Sequence, residues 1–297
     1  MAAQPPPLAR RIELGALLRT YRERAGVEPS DVADALGWSY VQKVGLVESG
    51  KRKLAAVELT VLAELLNLDA DERAKVVELG KVARKRDPGP AFVADWAQTY
   101  VALETAAEHI KVFAEELLPG LVQTEDYARA LLAQGVALQP DQVEAAVRQR
   151  TDRQRRLVEP GGPRLTVVLS ESGLRRQVGD REVMRGQLTH LRQLASRRNV
   201  SIQLLPFESG AHLALGTRFT LIHIGDPVVT FAYVEALTDS EIYDRPPHTE
   251  VYTLAFDRAQ RAALSQAKSL AWLDHLIDGF DRVEASRRDE RVAQEQP

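Results

Sequence analysis

Cysteine is absent from this 297-residue chain, and its absence excludes disulfides, zinc-cysteine sites and thiol nucleophiles. Long hydrophobic runs are missing too, none approaching the roughly 20 residues that span a bilayer. The opening Met1-Ala2-Ala3-Gln4-Pro5-Pro6-Pro7 has no basic-plus-apolar signal pattern, so the expected location is the cytoplasm, with no membrane partner. The six histidines (His109, His190, His212, His223, His248 and His275) are scattered without metal-ligand spacing, and neither a metal nor another cofactor is expected. Gly-x-Ser-x-Gly does not occur, which removes the hydrolase elbow, and no internal repeat is found.

What remains is enough for one large domain or two ordinary ones, with 44% hydrophobic residues to build a core. Charge is unevenly divided. Residues 1–86 hold 15 Lys or Arg against 12 Asp or Glu, a balance of +3, and the remainder holds 24 against 30. The direction favours an N-terminal half that meets a polyanion, although a +3 balance also falls within ordinary surface variation.

The first 86 residues read as five packed helices, because apolar residues recur at three and four and no strand-like alternation appears. Leu14, Leu17, Leu18 and Tyr21 fit a first helix ending near Gly26. Pro29 suits the first turn of a second, whose inner face is Val32, Ala33 and Leu36, with Gly37 as a left-handed stop. A third is expected from about Ser39 to Glu48, closed by Gly50. Val57, Val61, Leu62, Leu65 and Leu66 form the stripe of a fourth, and Asp69 caps a fifth through Val76, Val77 and Val82.

Arg84-Lys85-Arg86-Asp87-Pro88-Gly89-Pro90 then breaks any helix, since neither proline donates to the ladder. The expected organisation is a disordered tail over 1–9, a helix-turn-helix domain over 10–86, a linker over 87–91, an α+β domain over 92–285 and a flexible tail over 286–297. In the α+β part, Leu165 to Leu169, Val200 to Leu205, Arg218 to Ile224 and Val228 to Val234 read as strands. Helices are expected around Phe92 to Glu108, after Thr124 and Pro140, and over Glu182 to Arg197, Pro247 to Leu264 and Gln266 to Val283. Ile110 to Phe113 is a short apolar segment of unassigned type.

A helix-turn-helix needs a small residue where its helices cross, a residue that tolerates positive φ at the turn, and aliphatic residues on the inner face of the second helix. Ala33, Gly37, Val44 and Val47 meet those needs. The residues left for base edges are Ser39, Tyr40, Gln42 and Lys43, where Gln42 suits adenine and Lys43 suits guanine. Lys51, Arg52 and Lys53 are expected on phosphates, positioning the domain without reading sequence; the alternative is an ordinary solvated loop.

Residues 10–86 resemble the Xre, or lambda-repressor-like, helix-turn-helix regulators through Ala33-x-x-x-Gly37 and Glu48-x-Gly50-Lys51-Arg52-Lys53. The rest resembles the domain of unknown function that follows such domains in many actinobacterial regulators. That likeness is carried by Leu118-Pro119-Gly120-Leu121-Val122-Gln123-Thr124-Glu125-Asp126-Tyr127-Ala128-Arg129, by Leu205-Pro206-Phe207, by Gly210-Ala211-His212 and by Phe219-Thr220-Leu221. The resemblance implies a transcriptional regulator, antitoxin-like in some members. Two departures accompany it: Val44 follows Gly37 by seven positions where the family's first inward aliphatic residue follows by six, and Gly45-Leu46 stands where a Ser-Arg pair is common.

Two readings follow, with no catalytic activity expected in either. The leading one is a homodimeric, sequence-specific regulator on double-stranded DNA, whose C-terminal domain binds a small-molecule effector or a partner protein. The alternative is an antitoxin-like interaction module with a degenerate reading helix, engaging a small toxin-like partner through an outward Leu46. Weaker candidates are His212, as a ligand or general base, and Glu171 with Glu235, as a carboxylate pair at strand ends.

Overall fold

A computed structural model describes residues 6–86, 95–134, 139–236 and 239–294, with the backbone alone over 95–97 and 281–294. The chain forms two compact units. The first comprises residues 1–108, 222–231 and 242–245, and the second comprises 109–221, 232–241 and 246–297. The linker expected over 87–91 lies outside the described residues.

The first unit contains the five expected helices: α1 (Pro7–Ala25), α2 (Pro29–Ala35), α3 (Gln42–Glu48), α4 (Ala56–Leu65) and α5 (Ala70–Ala83). Helix α1 starts at Pro7, inside the stretch expected as tail, because a proline at the first helical position costs no hydrogen bond. It ends at Gly26 with φ +64°, whose left-handed conformation closes the last turn. Asp69 caps α5 by accepting the Glu72 N–H at 2.9 Å. Leu17, Leu59, Leu62, Leu66 and Val76 form the centre of the core. Two residues assigned to inner stripes, Val57 and Val77, are exposed, because the buried phase of α4 runs through Leu59, Leu62 and Ala63 and that of α5 through Val76, Leu79 and Ala83. Helix α6 (Asp95–Ala106), expected to open the second domain, clusters with the first unit and packs on α1.

The C-terminal domain carries the α+β pattern. Strands β1 (His109–Ala114), β2 (Arg164–Ser170), β3 (Val200–Leu205), β4 (Phe219–Ile224), β5 (Val229–Glu235) and β6 (Ser240–Tyr243) form a sheet in the order β3-β2-β1-β4-β5-β6. Strands β1, β2 and β3 run parallel, with Val112 beside Val167 and Leu165 beside Val200. Parallel strands need helical crossovers. They are supplied by α7 (Glu125–Leu132) and α8 (Pro140–Val158) after β1, and by α9 (Glu171–Arg175) and α10 (Arg181–Leu194) after β2. Helices α11 (Pro246–Ala262) and α12 (Gln266–Gln294) follow the last strand, and α12 continues past Ser286, where a tail was expected. Among the described residues no helix is long and apolar enough to cross a membrane.

One close approach in the first unit has a measurable consequence. A Cβ on Gly15 of α1 would lie 2.4 Å from the Val47 carbonyl oxygen and 2.6 Å from that of Glu48, so the two helices touch backbone to backbone. Gly15→Ala is expected to force them apart and lower the unfolding free energy by about 2 kcal/mol, read as a drop in the urea midpoint of the full chain.

Candidate nucleic-acid interface

The turn between α2 and α3 is fixed by backbone bonds. The Gly37 N–H donates to the Asp34 carbonyl at 3.0 Å and the Trp38 N–H to the Ala33 carbonyl at 2.8 Å, the paired closure of a helix that ends in a left-handed residue. Gly37 supplies that residue, with φ +64°. Ala33 is buried where the helices meet, as expected of a small crossing residue. Trp38 packs partly against the core, and its indole N–H donates to Glu58 at 3.2 Å.

Helix α3 begins at Gln42 rather than Ser39. Nothing caps it earlier: its N-cap, Val41, accepts no side-chain bond, and the chain enters through tighter bonds from the Lys43 N–H to Tyr40 and from the Val44 N–H to Val41. Ser39 and Tyr40 therefore stand in the connection, exposed, while Gln42 opens the helix and is exposed. Lys43 is half-buried, its ammonium 5.9 Å from the centre of the Tyr40 ring. Val44 and Val47 point inward, buried as expected. The additional residue after Gly37 is thus carried by the connection, and the inner face of α3 keeps its phase.

Helix α1 holds α3 from behind through one carboxylate. Glu48 accepts the Arg22 Nε–H at 2.6 Å and the Arg19 Nε–H at 3.2 Å, and Arg19 also reaches the Glu48 carbonyl at 3.2 Å. All three side chains are nearly buried, so the bonds are charge-assisted in a medium that screens them little. Arg19 continues to Asp244 at 2.8 Å, in the segment 242–245 that folds with this unit. Burial works against the charge on Arg19. The bond and field of Asp244, joined by Glu48, outweigh it and raise its proton affinity above the ordinary guanidinium value. Arg11 adds a bond to the Gly50 carbonyl at 2.6 Å. Local spacing does not reveal the role of these arginines, because their partners lie 26 to 39 residues away or further.

The basic loop divides. Arg52 stacks its guanidinium 4.6 Å from the centre of the Trp38 ring and donates to Glu58 at 3.2 Å, so it braces the turn. Lys53 donates to the carbonyls of Arg84 and Lys85 at 3.1 and 3.0 Å, closing the C-terminal end of α5. Lys51 is exposed and takes part in neither arrangement. Behind α3, a void of about 20 Å³ is lined by residues including Leu18, Trp38, Val44 and Leu62. It has room for about one water and none for an effector.

A family model described as a domain of unknown function, DUF5753, matches residues 97–275, more than half of the chain. The chain belongs to the DUF5753 family. A second model, a helix-turn-helix domain, matches residues 13–76 and supports a DNA-binding regulator. No curated protein and no solved structure matches the chain.

In the DUF5753 region the motif that opens with Leu118-Pro119-Gly120 is held by three glutamines. Gln123 donates to the Leu118 carbonyl at 2.6 Å, and Gln154 donates to the carbonyls of Gly120 and Gln123 at 2.7 and 2.8 Å. Gln187, fully buried, donates to the Val122 carbonyl and accepts the Thr124 N–H, both at 2.7 Å. Thr124 caps α7 as expected, accepting the Tyr127 N–H at 3.2 Å. The motif thus builds structure. Glu171 and Glu235 do not form a pair: Glu171 binds Arg175 and the Phe207 N–H, and Glu235 binds Arg218. His212 lies in the connection before β4, its ring in a T-shaped pair with Phe113, centroids 5.3 Å apart.

Removing the shared carboxylate should leave two nearly buried guanidinium groups short of a partner, Arg19 keeping Asp244 and Arg22 keeping the Val27 carbonyl. Glu48→Ala is expected to cost about 3 kcal/mol of unfolding free energy, measured by urea denaturation of the full chain. Glu23→Ala, on an exposed side chain of α1, should leave the midpoint nearly unchanged.

Proposed function

We propose that this member of the DUF5753 family is a sequence-specific transcriptional regulator of the Xre kind, acting on double-stranded DNA as a cytoplasmic homodimer. The observation that carries this reading is the second helix of a helix-turn-helix, α3, locked on its inner face by Val44, Val47 and Glu48 and open on its outer face. Such a helix enters the major groove with its orientation already set, so little ordering is left to occur on binding. Two copies would present two such helices to half-sites about one helical turn apart. The α+β region is the proposed receptor for a small effector or a partner protein.

A second reading, an antitoxin-like interaction module, is favoured by one observation. Tyr40 and Leu46 are 66% and 44% exposed on the side of the unit where a base reader is expected. A stoichiometric partner that co-purifies with a protein lacking DNA affinity would favour it over the first.

The test is a titration of the full chain against the DNA upstream of its own coding sequence at low salt, with sequence-preferring binding expected. Complete absence of such binding counts against the regulator reading. Within that assay the basic loop makes a sharper distinction. Lys51→Ala is expected to weaken binding to all duplexes and to reduce the salt slope by about 1. Arg52→Ala and Lys53→Ala, which remove internal contacts, are expected to lower the thermal midpoint more than the slope.

A further inference from the structure

Gly45 occupies the middle of the seven-residue α3, faces outward, and has no explanation inside the molecule. Its φ is not positive, and a Cβ added there would meet nothing within 4 Å. Alanine would fit and would strengthen the helix. A glycine there leaves the α3 backbone open to close approach by something outside the unit.

The surroundings of Gly45 say what that something is. Positions 41, 42, 45, 46 and 49 share the outer face by their helical spacing, with Gly45 between Val41 and Leu46, which are 45% and 44% exposed. Gln42 is the long polar side chain among them. Arginines, the commonest readers of guanine, are held in internal bonds nearby: Arg19 and Arg22 by Glu48, Arg52 by Glu58. Cationic Lys43 and Lys51 flank the face, and residues 1–86 carry a balance of +3, which suits a polyanion better than an apolar protein surface. The apolar feature of the major-groove edge is the thymine methyl group, and the adenine of the same pair offers N7 and N6 to a glutamine.

We propose that α3 reads an A·T-containing half-site chiefly by apolar contact. Val41 and Leu46 rest on thymine methyl groups, Gln42 pairs with an adenine, and Gly45 is where the helix backbone approaches the base edges most closely. The proposal rests on the DNA-binding reading above and adds the class of sequence recognised and the residues that choose it.

The experiment uses the full chain to select duplexes from a randomised pool, then measures affinity for the selected site with each thymine replaced by deoxyuridine, which deletes only the methyl group. Affinity is expected to fall roughly fivefold at one or more positions in each half-site. Leu46→Ala should abolish part of that sensitivity. Gly45→Ala should weaken binding roughly tenfold while raising the thermal midpoint, a pairing of effects that a purely structural glycine does not produce. If a site is selected but deoxyuridine changes nothing, or Gly45→Ala binds as tightly as the parent, the apolar readout is wrong and DNA binding stands. If no duplex is enriched at low salt, the DNA-binding reading falls and the readout with it. If Leu46→Ala dissociates an oligomer and leaves DNA affinity intact, the face joins copies of the chain, which also overturns the proposal.

Discussion

Two guanidinium groups converge on the carboxylate of Glu48, and the position of α3 depends on that convergence. The helix is only seven residues long, has no side-chain cap at its start and carries a glycine at its centre, so it has little stability of its own. What keeps it in place is tertiary: Val44 and Val47 in the core, the backbone contact with α1 at Gly15, and the buried ion pairs at its end. Removing Glu48 would take a buried carboxylate from Arg22 and leave Arg19 to Asp244, so part of the buried charge would lose its partner.

This division of labour changes what the sequence motif means. Glu48 and Gly50 belong to the joint between α1 and α3, and neither presents a group to a ligand. Arg52 and Lys53 look like a phosphate-binding run in the sequence, yet one braces the turn against Trp38 and Glu58 and the other closes α5. The outer surface is left to Tyr40, Val41, Gln42, Gly45, Leu46 and Lys51, a set with more apolar area than charge. The same economy holds in the DUF5753 region, where the most specific stretch of sequence is occupied in satisfying its own backbone through Gln123, Gln154 and Gln187.

Features written in local spacing were legible in the sequence. Ala33, Gly37, Val44 and Val47 took their expected places, because the helical period and the need for positive φ at a turn act over a few residues. Strands β2 to β5 were readable from runs of Val, Ile and Phe bounded by Gly and Pro, and Thr124 and Asp69 were readable as caps. Strand β1 reads in the sequence only as a short apolar segment: it is six residues long, follows a helix closely and has no turn residue to announce it. Strand β6, four residues at the sheet edge, has hardly any apolar signal. The bonds of Arg19 and Arg22 to Glu48 and of Lys53 to α5 were not legible, since they join residues 26 to 32 apart and depend on how the helices cross. Gly15 and Gly45 look alike in the sequence; only the packing shows that the first is needed within and the second is not.

In the proposed complex the outer face of α3 lies against base edges. The most direct measurement is photo-crosslinking of the full chain to a selected duplex in which 5-bromodeoxyuridine replaces thymine, with the bromine standing where the methyl group was, followed by peptide mapping. Crosslinks are expected within Tyr40 to Leu46. Crosslinks confined to other segments, from a duplex that still binds with sequence preference, would contradict it.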